Sequence, residues 1–576
     1  MVKKIDIEEL DPSNPPKDAV WFCPLGGSGE IGMNMNLYGH NGKWIMVDCG
    51  ITFGNDALPG ADVIMPDPAF IEDQVENLEA IFITHAHEDH MGAIPYLFSR
   101  FNCPIYSHPF TTAFIRAKCE DKKLGLNSYL QEVDIGGTVE AGPFSVEFLP
   151  VTHSVLEPAM LIIKTALGNI LHTGDWKFDD HPVLGYKTDY DRLKALGSEG
   201  ALAIVGDSTN AIKTGHTQSE NDLIESFTTI FKKYDQRIVV GCFSSNLARL
   251  KSTAIAAKKA GRQLGIVGRS LWRMYDTAYE CGYLRDIIEP LAPEDLQDIP
   301  PEQLVIIATG SQGEENSGLH RFANEAHPSL RLTPGDVVLF SARQIPGNER
   351  SIKDIQNKFE KNGIHVITSH TDYIHVSGHA KQDEIKQLYE WVKPQAVIPV
   401  HGEYRHMNAN AELAEACGID QQYVPEDGHL IELRLKGKKL HTELLDEVYT
   451  GLLTLEGNQV APLSTEMMDR RKNINQQGMV FATVILNADM EIVSLPEISI
   501  HGLSFIDELQ FSEDEEPYAF LLDSLNESIS QRIYDLDEEN FFDDEAVIQT
   551  LQRGIKRKFQ KSFQLRPFVK IHLIRI

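Results

Sequence analysis

The octapeptide Ile83-Thr84-His85-Ala86-His87-Glu88-Asp89-His90 constrains this chain more than any other stretch. Three imidazoles and a carboxylate fall within six residues, directly after an apolar run that reads as a strand. Core packing gives no reason to gather such groups, because each needs a hydrogen-bond partner once buried. On a loop they converge on one point, and neutral imidazole with carboxylate oxygen suits zinc or manganese. One loop does not complete two metal sites, so further ligands are expected at other strand ends. His153 (in Val151-Thr152-His153-Ser154), Asp175 (in His172-Thr173-Gly174-Asp175) and His401 (in Pro399-Val400-His401-Gly402) stand after apolar runs where ligands are needed. Each alone would serve equally as a core or turn residue. Together they suggest His85, His87 and His153 on one ion and Asp89, His90 and His401 on the other. Asp175 bridges, because a carboxylate has two oxygens. Two divalent ions about 3.5–4 Å apart clamp a phosphoester and activate a water for its hydrolysis.

Charge at first argues against a nucleic-acid partner. Lys and Arg total 53 against 84 Asp and Glu, a formal net charge of −31, whereas phosphate binding needs local positive potential. Net charge governs solubility and non-specific binding, however, and a cleft inside an acidic protein can be locally positive. Bound divalent ions also add charge that a residue count omits. The 576 residues exceed one hydrophobic core, so several domains are expected. Seven scattered cysteines without a CxxC pair fit reduced thiols in a cytoplasm, not a disulfide framework or a thiolate zinc site. Residues 1–11 lack the apolar segment of a secretory signal, and no run reaches the roughly 18 apolar residues of a membrane span.

The first third of the chain reads as short strands, such as 44–47 after the Asn41-Gly42 hairpin turn, 81–83, 170–171 and 201–205. The middle alternates: strand 237–240, helix 247–260, strands 304–308 and 337–340, helix 352–361. That order predicts a parallel sheet built from βαβ units. Helix 382–392 then leads into the apolar run 396–400. From about 457 the character changes again, with acidic stretches at 513–516 and 535–545 and a basic end carrying Lys556, Arg557, Lys558, Lys561, Arg566, Lys570 and Arg575. This end reads as a small α+β domain with solvated charged faces, or as an assembly or RNA-contacting module.

Two other segments invite a ligand. Ser244, Ser245 and Asn246 stand at a strand-to-helix turn, which either accepts an anion or simply caps the helix. The helix after it carries Arg249, Lys251, Lys258 and Lys259, as RNA contacts or as a solvated face. Gly27-Ser28-Gly29-Glu30-Ile31-Gly32 matches GxGxxG, with Asp48 about where a ribose-binding acid would stand. A dinucleotide site needs a helix after those glycines, but 33–37 reads as a strand. The glycines are expected instead to form a tight loop near the metal cleft.

The metal array resembles the metallo-β-lactamase superfamily, with Asp48 in Val47-Asp48-Cys49-Gly50 matching an early aspartate that orients ligands from behind. Asp175 and His401 are 226 positions apart, and a hydrolase core interrupted by such an insert resembles the β-CASP nucleases. Gly206-Asp207-Ser208-Thr209-Asn210 is similar to their motif A, His375-Val376-Ser377-Gly378-His379 to motif B, and His401 to motif C. With Thr309–Glu314 (TGSQGE) and Pro399–His406 (PVHGEYRH), residues 18–450 resemble the bacterial ribonuclease J family. The resemblance implies an α/β fold: an αββα metallo-β-lactamase sandwich with an inserted parallel-sheet β-CASP domain and a small α+β C-terminal domain. The expected divisions are 1–211 and 371–450 for the sandwich, 212–370 for the insert, 451–470 for a linker and 471–576 for the last domain. It implies a metal-dependent ribonuclease with 5′→3′ exonuclease and endonuclease activity, acting in mRNA decay and rRNA maturation. Two divalent ions are expected, zinc first and manganese second. Asp89, Asp207 and His379 are the expected catalytic residues, the last two as a carboxylate–imidazole pair that protonates the leaving 3′ oxygen. His375, Ser377, Gly378 and His379 resemble a phosphate pocket, joined by Ser244, Ser245 and Asn246. The expected partners are single-stranded RNA with a 5′-monophosphate, a second copy or three more of this chain, and RNA-degradation complexes; no membrane is expected. A β-CASP DNA nuclease and an inactive RNA-binding scaffold are the competing readings. The first is separated by comparing RNA with DNA, since only RNA offers a 2′-hydroxyl. The scaffold would be expected to lack metal ligands, and none of the expected positions is missing.

Overall fold

Side chains along Ala19–Gly26 alternate between two interiors, as a strand between layers must. Val20 and Phe22 join one apolar cluster, while Trp21 and Cys23 join another. That alternation defines a layered core in the computed structural model, which describes residues 11–54, 58–120, 125–489, 491–510 and 516–576. The first sheet runs, in spatial order, Lys439–Glu447, His429–Lys436, Ala19–Gly26, Met35–His40, Lys43–Val47, Leu78–Phe82, Ile105–Ser107, Leu130–Glu132. The second runs Thr138–Ala141, Phe144–Pro150, Ala159–Thr165, Gly168–His172, Ala201–Asp207, Ala396–Val400, Gln421–Gln422. Phe22, Ile45 and Phe82 from the first sheet meet Phe148, Leu161, Val205 and Ile398 from the second. Helices Ile94–Phe101 and Pro109–Glu120 cover the outer face of the first sheet; Tyr190–Glu199, Gln382–Val392 and Tyr404–Ala416 cover that of the second. This is the αββα sandwich.

The insert is a five-stranded sheet in the order Gln263–Val267, Leu304–Ala308, Ile238–Gly241, Val337–Phe340, His365–Thr368, with every pairing parallel. Its three central strands, Leu304–Ala308, Ile238–Gly241 and Val337–Phe340, are buried on both faces, which explains their unbroken apolar runs.

The described residues fall in two compact units, one holding 11–54 and Val63–Pro462, the other 58–62 and Leu463–Ile576. In the second, Met479–Leu486 lies between Glu497–His501 and Phe568–Arg575. Helices Glu516–Tyr534 and Asp544–Phe563 pack on that sheet through Leu525, Ile529, Leu551 and Ile555. The acidic residues 513–515 and the N-terminal residues 1–10 lie outside the described residues. No helix among the described residues is long and apolar enough to cross a membrane.

The stretch expected as a linker, 451–470, contains the division between the two units, at 462/463, and carries regular structure: Leu452–Glu456 and Gln459–Pro462 form a hairpin that pairs with Val63–Pro66, and helix Thr465–Gln477 runs across position 470. These strands are short and half-exposed, and the apolar stretch of the first, Leu452–Leu455, is interrupted by Thr454.

Candidate metal centre and catalytic cleft

Strand Leu78–Phe82 ends at Ile83, and the chain then turns through His85 and His87 into the short helix Glu88–Met91. Backbone bonds from Cys49 to the His90 carbonyl (2.7 Å) and from Ile51 to the Glu88 carbonyl (2.9 Å) pin this turn from below. The approach requires Gly50, because a Cβ there would stand 1.8 Å from the Asp89 carbonyl oxygen. Asp48 and His401 adopt left-handed backbone conformations (φ 64° and 52°), strain of the sort that concentrates at functional sites.

The ligand candidates converge in two groups that share one residue. His85, His87, His153 and Asp175 offer ligand atoms within 4.8 Å of one another, and so do Asp89, His90, Asp175 and His401. The Asp175 carboxylate divides between them. Its Oδ2 lies 3.7 Å from His85 Nε2 and 3.6 Å from His153 Nε2; its Oδ1 lies 3.3 Å from His90 Nε2 and 3.4 Å from His401 Nε2. His153 Nε2 and His87 Nδ1 face each other at 3.2 Å.

A second layer holds the rings. Asp48 Oδ2 accepts from His90 Nδ1 at 2.7 Å while Oδ1 accepts from the Thr84 backbone N–H at 2.8 Å. The Gly378 carbonyl accepts from His153 Nδ1 at 2.7 Å, and the Asn34 side chain meets His401 Nδ1 at 2.9 Å. Each bond fixes the tautomer that aims the other nitrogen inward.

The donor set fits a divalent cation. His85 Nε2, Asp175 Oδ1 and His401 Nε2 are buried without hydrogen-bond partners, which proteins rarely tolerate unless something else satisfies them. Burial lowers His85 and His153 well below the ordinary histidine range and His87 to about 4, the neutral form that ligates. His90 moves the other way: burial opposes its charge, but Asp175, Asp89 and Asp48 raise it well above that range. Burial would also raise Asp175, yet His401, His90 and His379 hold its carboxyl well below the usual range. The carboxylates therefore demand positive charge at the centre of the cluster.

Beside it, Asp207 Oδ2 accepts from His379 Nδ1 at 2.8 Å, and this imidazole stands 3.9 Å from Asp175 Oδ2. Burial works against a charged His379, but Asp207 and Asp175 raise it above the ordinary histidine value. Asp207 is the last residue of strand Ala201–Asp207, and its Oδ1 accepts from the Thr209 backbone at 2.8 Å. Asn210 Nδ2 donates to Ser377 Oγ (2.8 Å) and to the His379 carbonyl (3.0 Å). His375 Nδ1 is buried without a partner; burial and then Arg249, Lys213 and Arg343 hold its pKa well below the usual range.

The turn at Ser244 divides. Asn246 is the N-cap of helix Leu247–Lys259 and accepts from the Arg249 backbone at 2.9 Å, while Ser244 and Ser245 are half-buried. Arg249 is neither a solvated nor an RNA-facing residue: it is fully buried on Glu220, 2.6 Å away. Lys251 pairs with Asp286 at 2.8 Å. The glycine loop forms the expected tight turn, with Ser28–Gly29 bridged to Gly402–Glu403 and strand Met35–His40 following. Asn34, Asn210 and Arg343 were not legible as site residues. Asn34 lies just past the glycine loop and Asn210 ends the motif containing Asp207; Arg343 carries no local signal.

Comparison with known proteins agrees with this geometry. The family model described as the metallo-β-lactamase superfamily matches residues 29–241, and ribonuclease J, β-CASP domain, matches 235–359. The Zn-dependent metallo-hydrolase RNA specificity domain matches 363–425, and the ribonuclease J C-terminal domain matches 466–576. Ribonuclease J of Sinorhizobium meliloti is 40% identical over 86% of this chain and 88% of its own length. Ribonuclease J of Mycobacterium tuberculosis is 32% identical over 98% of this chain and 99% of its own. A solved protein of unknown function from Enterococcus faecalis shares the fold, at a TM-score of 0.50 and 16% identity over 72% of this chain and all of its own. With four family models along its length and relatives this similar end to end, the chain belongs to the ribonuclease J family of metal-dependent nucleases.

Proposed function

We propose that this chain hydrolyses RNA phosphodiesters as a 5′→3′ exonuclease that also cuts internally, in mRNA decay and rRNA maturation. The observation that carries the reading is the Asp207–His379 pair, 2.8 Å apart and set against the Asp175 cluster. His85, His87, His153 and Asp175 would hold one divalent ion, and Asp89, His90, His401 and Asp175 the other, zinc before manganese given five nitrogen-bearing side chains. Bound there, such ions would supply positive charge for the phosphate and acidify a water. Asp207 holds Nδ1 of His379, so Nε2 is left to present a proton to the leaving 3′ oxygen. Asp89, the more exposed of the carboxylate ligands at 30% side-chain accessibility, accepts a proton from the attacking water. The His375 ring, the Ser377 hydroxyl and the backbone at Gly378 bind the 5′-monophosphate, with Ser244 and Ser245 adding hydroxyl donors. Asn246 is committed to its helix cap.

The test is one RNA sequence bearing a 5′-monophosphate or a 5′-triphosphate, with products resolved by length. Faster conversion of the monophosphate form to mononucleotides supports the reading; equal internal cutting of both removes the 5′-end pocket, and no cutting removes the nuclease. The C-terminal unit exposes Phe520, Tyr534 and Phe542, which supports it as the surface for a homodimer or homotetramer; sedimentation of the full chain against that unit's deletion checks it. The seven cysteines are scattered and form no CxxC pair, a spacing that supports a cytoplasmic setting.

A further inference from the structure

Buried and half-buried arginines in this acidic chain are satisfied from several sides: Arg192 has Glu147, Arg237 has Asp336, Arg249 has Glu220 and Arg434 has Glu432, while Arg262 donates to the Tyr234, Gln236 and Leu304 carbonyls. Arg343 and Lys213 depart from that rule. Among the described residues neither has a carboxylate within ion-pair distance, and Lys213 Nζ makes no hydrogen bond. Arg343 donates through Nη1 to Asn210 Oδ1 at 3.0 Å, its one side-chain bond. Both are half-buried. Burial pushes Lys213 down to about 8, and Arg343 and Lys381 push it the same way. The buried, unpartnered Nδ1 of His375 faces this concentration of positive charge. Burial lowers Arg343, and Asp207 and Glu403 favour its charge without contacting it; two adjacent half-buried cations with no carboxylate in contact mark a place kept for an anion.

Resting on the nuclease reading above, we propose that Lys213 and Arg343 form a binding site for one phosphate of the RNA backbone beside the Asp207–His379 pair. Asn210 ties the site to the chemistry. One amide holds Arg343 through its oxygen, and the Ser377 hydroxyl and His379 carbonyl through its nitrogen. A phosphate held there is thus registered against the imidazole. With Nη1 on Asn210, the guanidinium keeps its other N–H donors for phosphate oxygens, which its planar fork suits better than an ammonium does. Lys213 lies in the matched metallo-β-lactamase segment and Arg343 in the matched β-CASP segment, so the site exists only where both meet. It also bears on the −31 net charge: two cations stand beside the Asp207–His379 pair in an otherwise acidic chain.

The test uses the full chain in chelator with a labelled single-stranded RNA, following fluorescence anisotropy against salt, and then RNAs with one neutral methylphosphonate moved linkage by linkage. Arg343→Met and Lys213→Met should each weaken binding about tenfold and each lower the slope of log affinity against log salt by about 0.7, one contact on a single strand. In the wild type one linkage should respond most to neutralisation, and in the double variant that linkage should cost less than twofold. Arg343→Lys, which keeps the charge, should recover most of the slope and guards against a folding defect. Binding and slope unchanged in both variants, or equal losses at every linkage in all proteins, overturns the site. Cleavage is measured separately with zinc or manganese added. Cleavage by variants that bind normally removes this site alone, whereas absence of cleavage with the coupling intact removes the nuclease reading alone.

Discussion

At the Arg249–Glu220 clamp every charged atom has a partner; at the Asp175 cluster buried polar atoms are left without one. Arg249 reaches Glu220 with Nε and Nη2 at 2.6 and 3.1 Å, Ser341 Oγ at 2.6 Å, and the Ser341 and Val376 carbonyls. His85, Asp175 and His401 each keep a buried atom unmatched. Both regions pay a desolvation penalty, but only the first repays it within the chain. Satisfied buried charge here is architecture, and unsatisfied buried charge is a site awaiting a ligand.

The largest effect should come from the unsatisfied side. Asp175→Asn keeps the shape of the side chain and removes the charge both ligand groups share. Activity should fall about 10³-fold or more, as loss of several kcal/mol of metal-derived stabilisation demands, and bound metal by elemental analysis should fall with it. The unfolding midpoint of the metal-free protein should not drop. Full metal content in this variant would remove Asp175 from the centre.

The clamp should behave inversely. Arg249→Met strands the Glu220 carboxylate and should cost about 3–5 kcal/mol by denaturant unfolding. Adding Glu220→Leu should return more than half of it, because a matched apolar pair costs little. A single-variant cost under about 1 kcal/mol would mean that the two regions do not differ as argued.

Between them stands Asp48, which is satisfied by Thr84 and His90 yet acts on the unsatisfied cluster. Asp48→Asn should reduce metal affinity about 10–100-fold, with stability of the metal-free protein much less affected. Titration with a competing chelator reads it; unchanged affinity would make Asp48 a purely structural residue.

The same contrast explains what was legible in the sequence. The histidine array could be read because its ligands are contiguous, and strands 304–308, 337–340 and 396–400 because buried parallel strands are continuous apolar runs. Arg249 reads as part of a basic helix face, since its partner Glu220 lies 29 positions away and nothing local announces it. Arg343 meets Asn210 across 133 positions. Hairpin 452–462 escaped because half-exposed short strands look like linker, and Ser28–Gly29 because two residues carry no periodicity. What depends on who faces whom across the fold is invisible to patterns along the chain.

Glu30 and Asp427 sharpen the comparison with a third kind of charge, two half-buried carboxyls with no cation in contact among the described residues. Burial raises Glu30 to about 7; burial and then Glu30 raise Asp427 to about 8, although the Ser28 N–H donates to it at 2.9 Å. Both folded values exceed the unfolded ones of about 4. Their contribution to stability is therefore fully present below pH 4 and is lost as pH rises through 7 and 8. Asp427→Asn should raise the thermal midpoint more at pH 9 than at pH 6. An equal shift at both pH values would mean that Asp427 is already ionised at the lower one.

The smallest effect separates architecture from site at one residue. Asn246 stands at a turn that favours anions, yet it is buried and its oxygen already accepts the Arg249 N–H as a helix cap. Asn246→Ala should cost about 1 kcal/mol, the usual loss of a cap. Asn246→Ser keeps a capping oxygen and removes the amide donors, so stability should stay within about 0.5 kcal/mol and KM for 5′-monophosphorylated RNA within about twofold. A tenfold rise in KM with stability intact would show that the amide reaches substrate. It would also place Asn246 with the unsatisfied groups rather than with the clamp whose helix it begins.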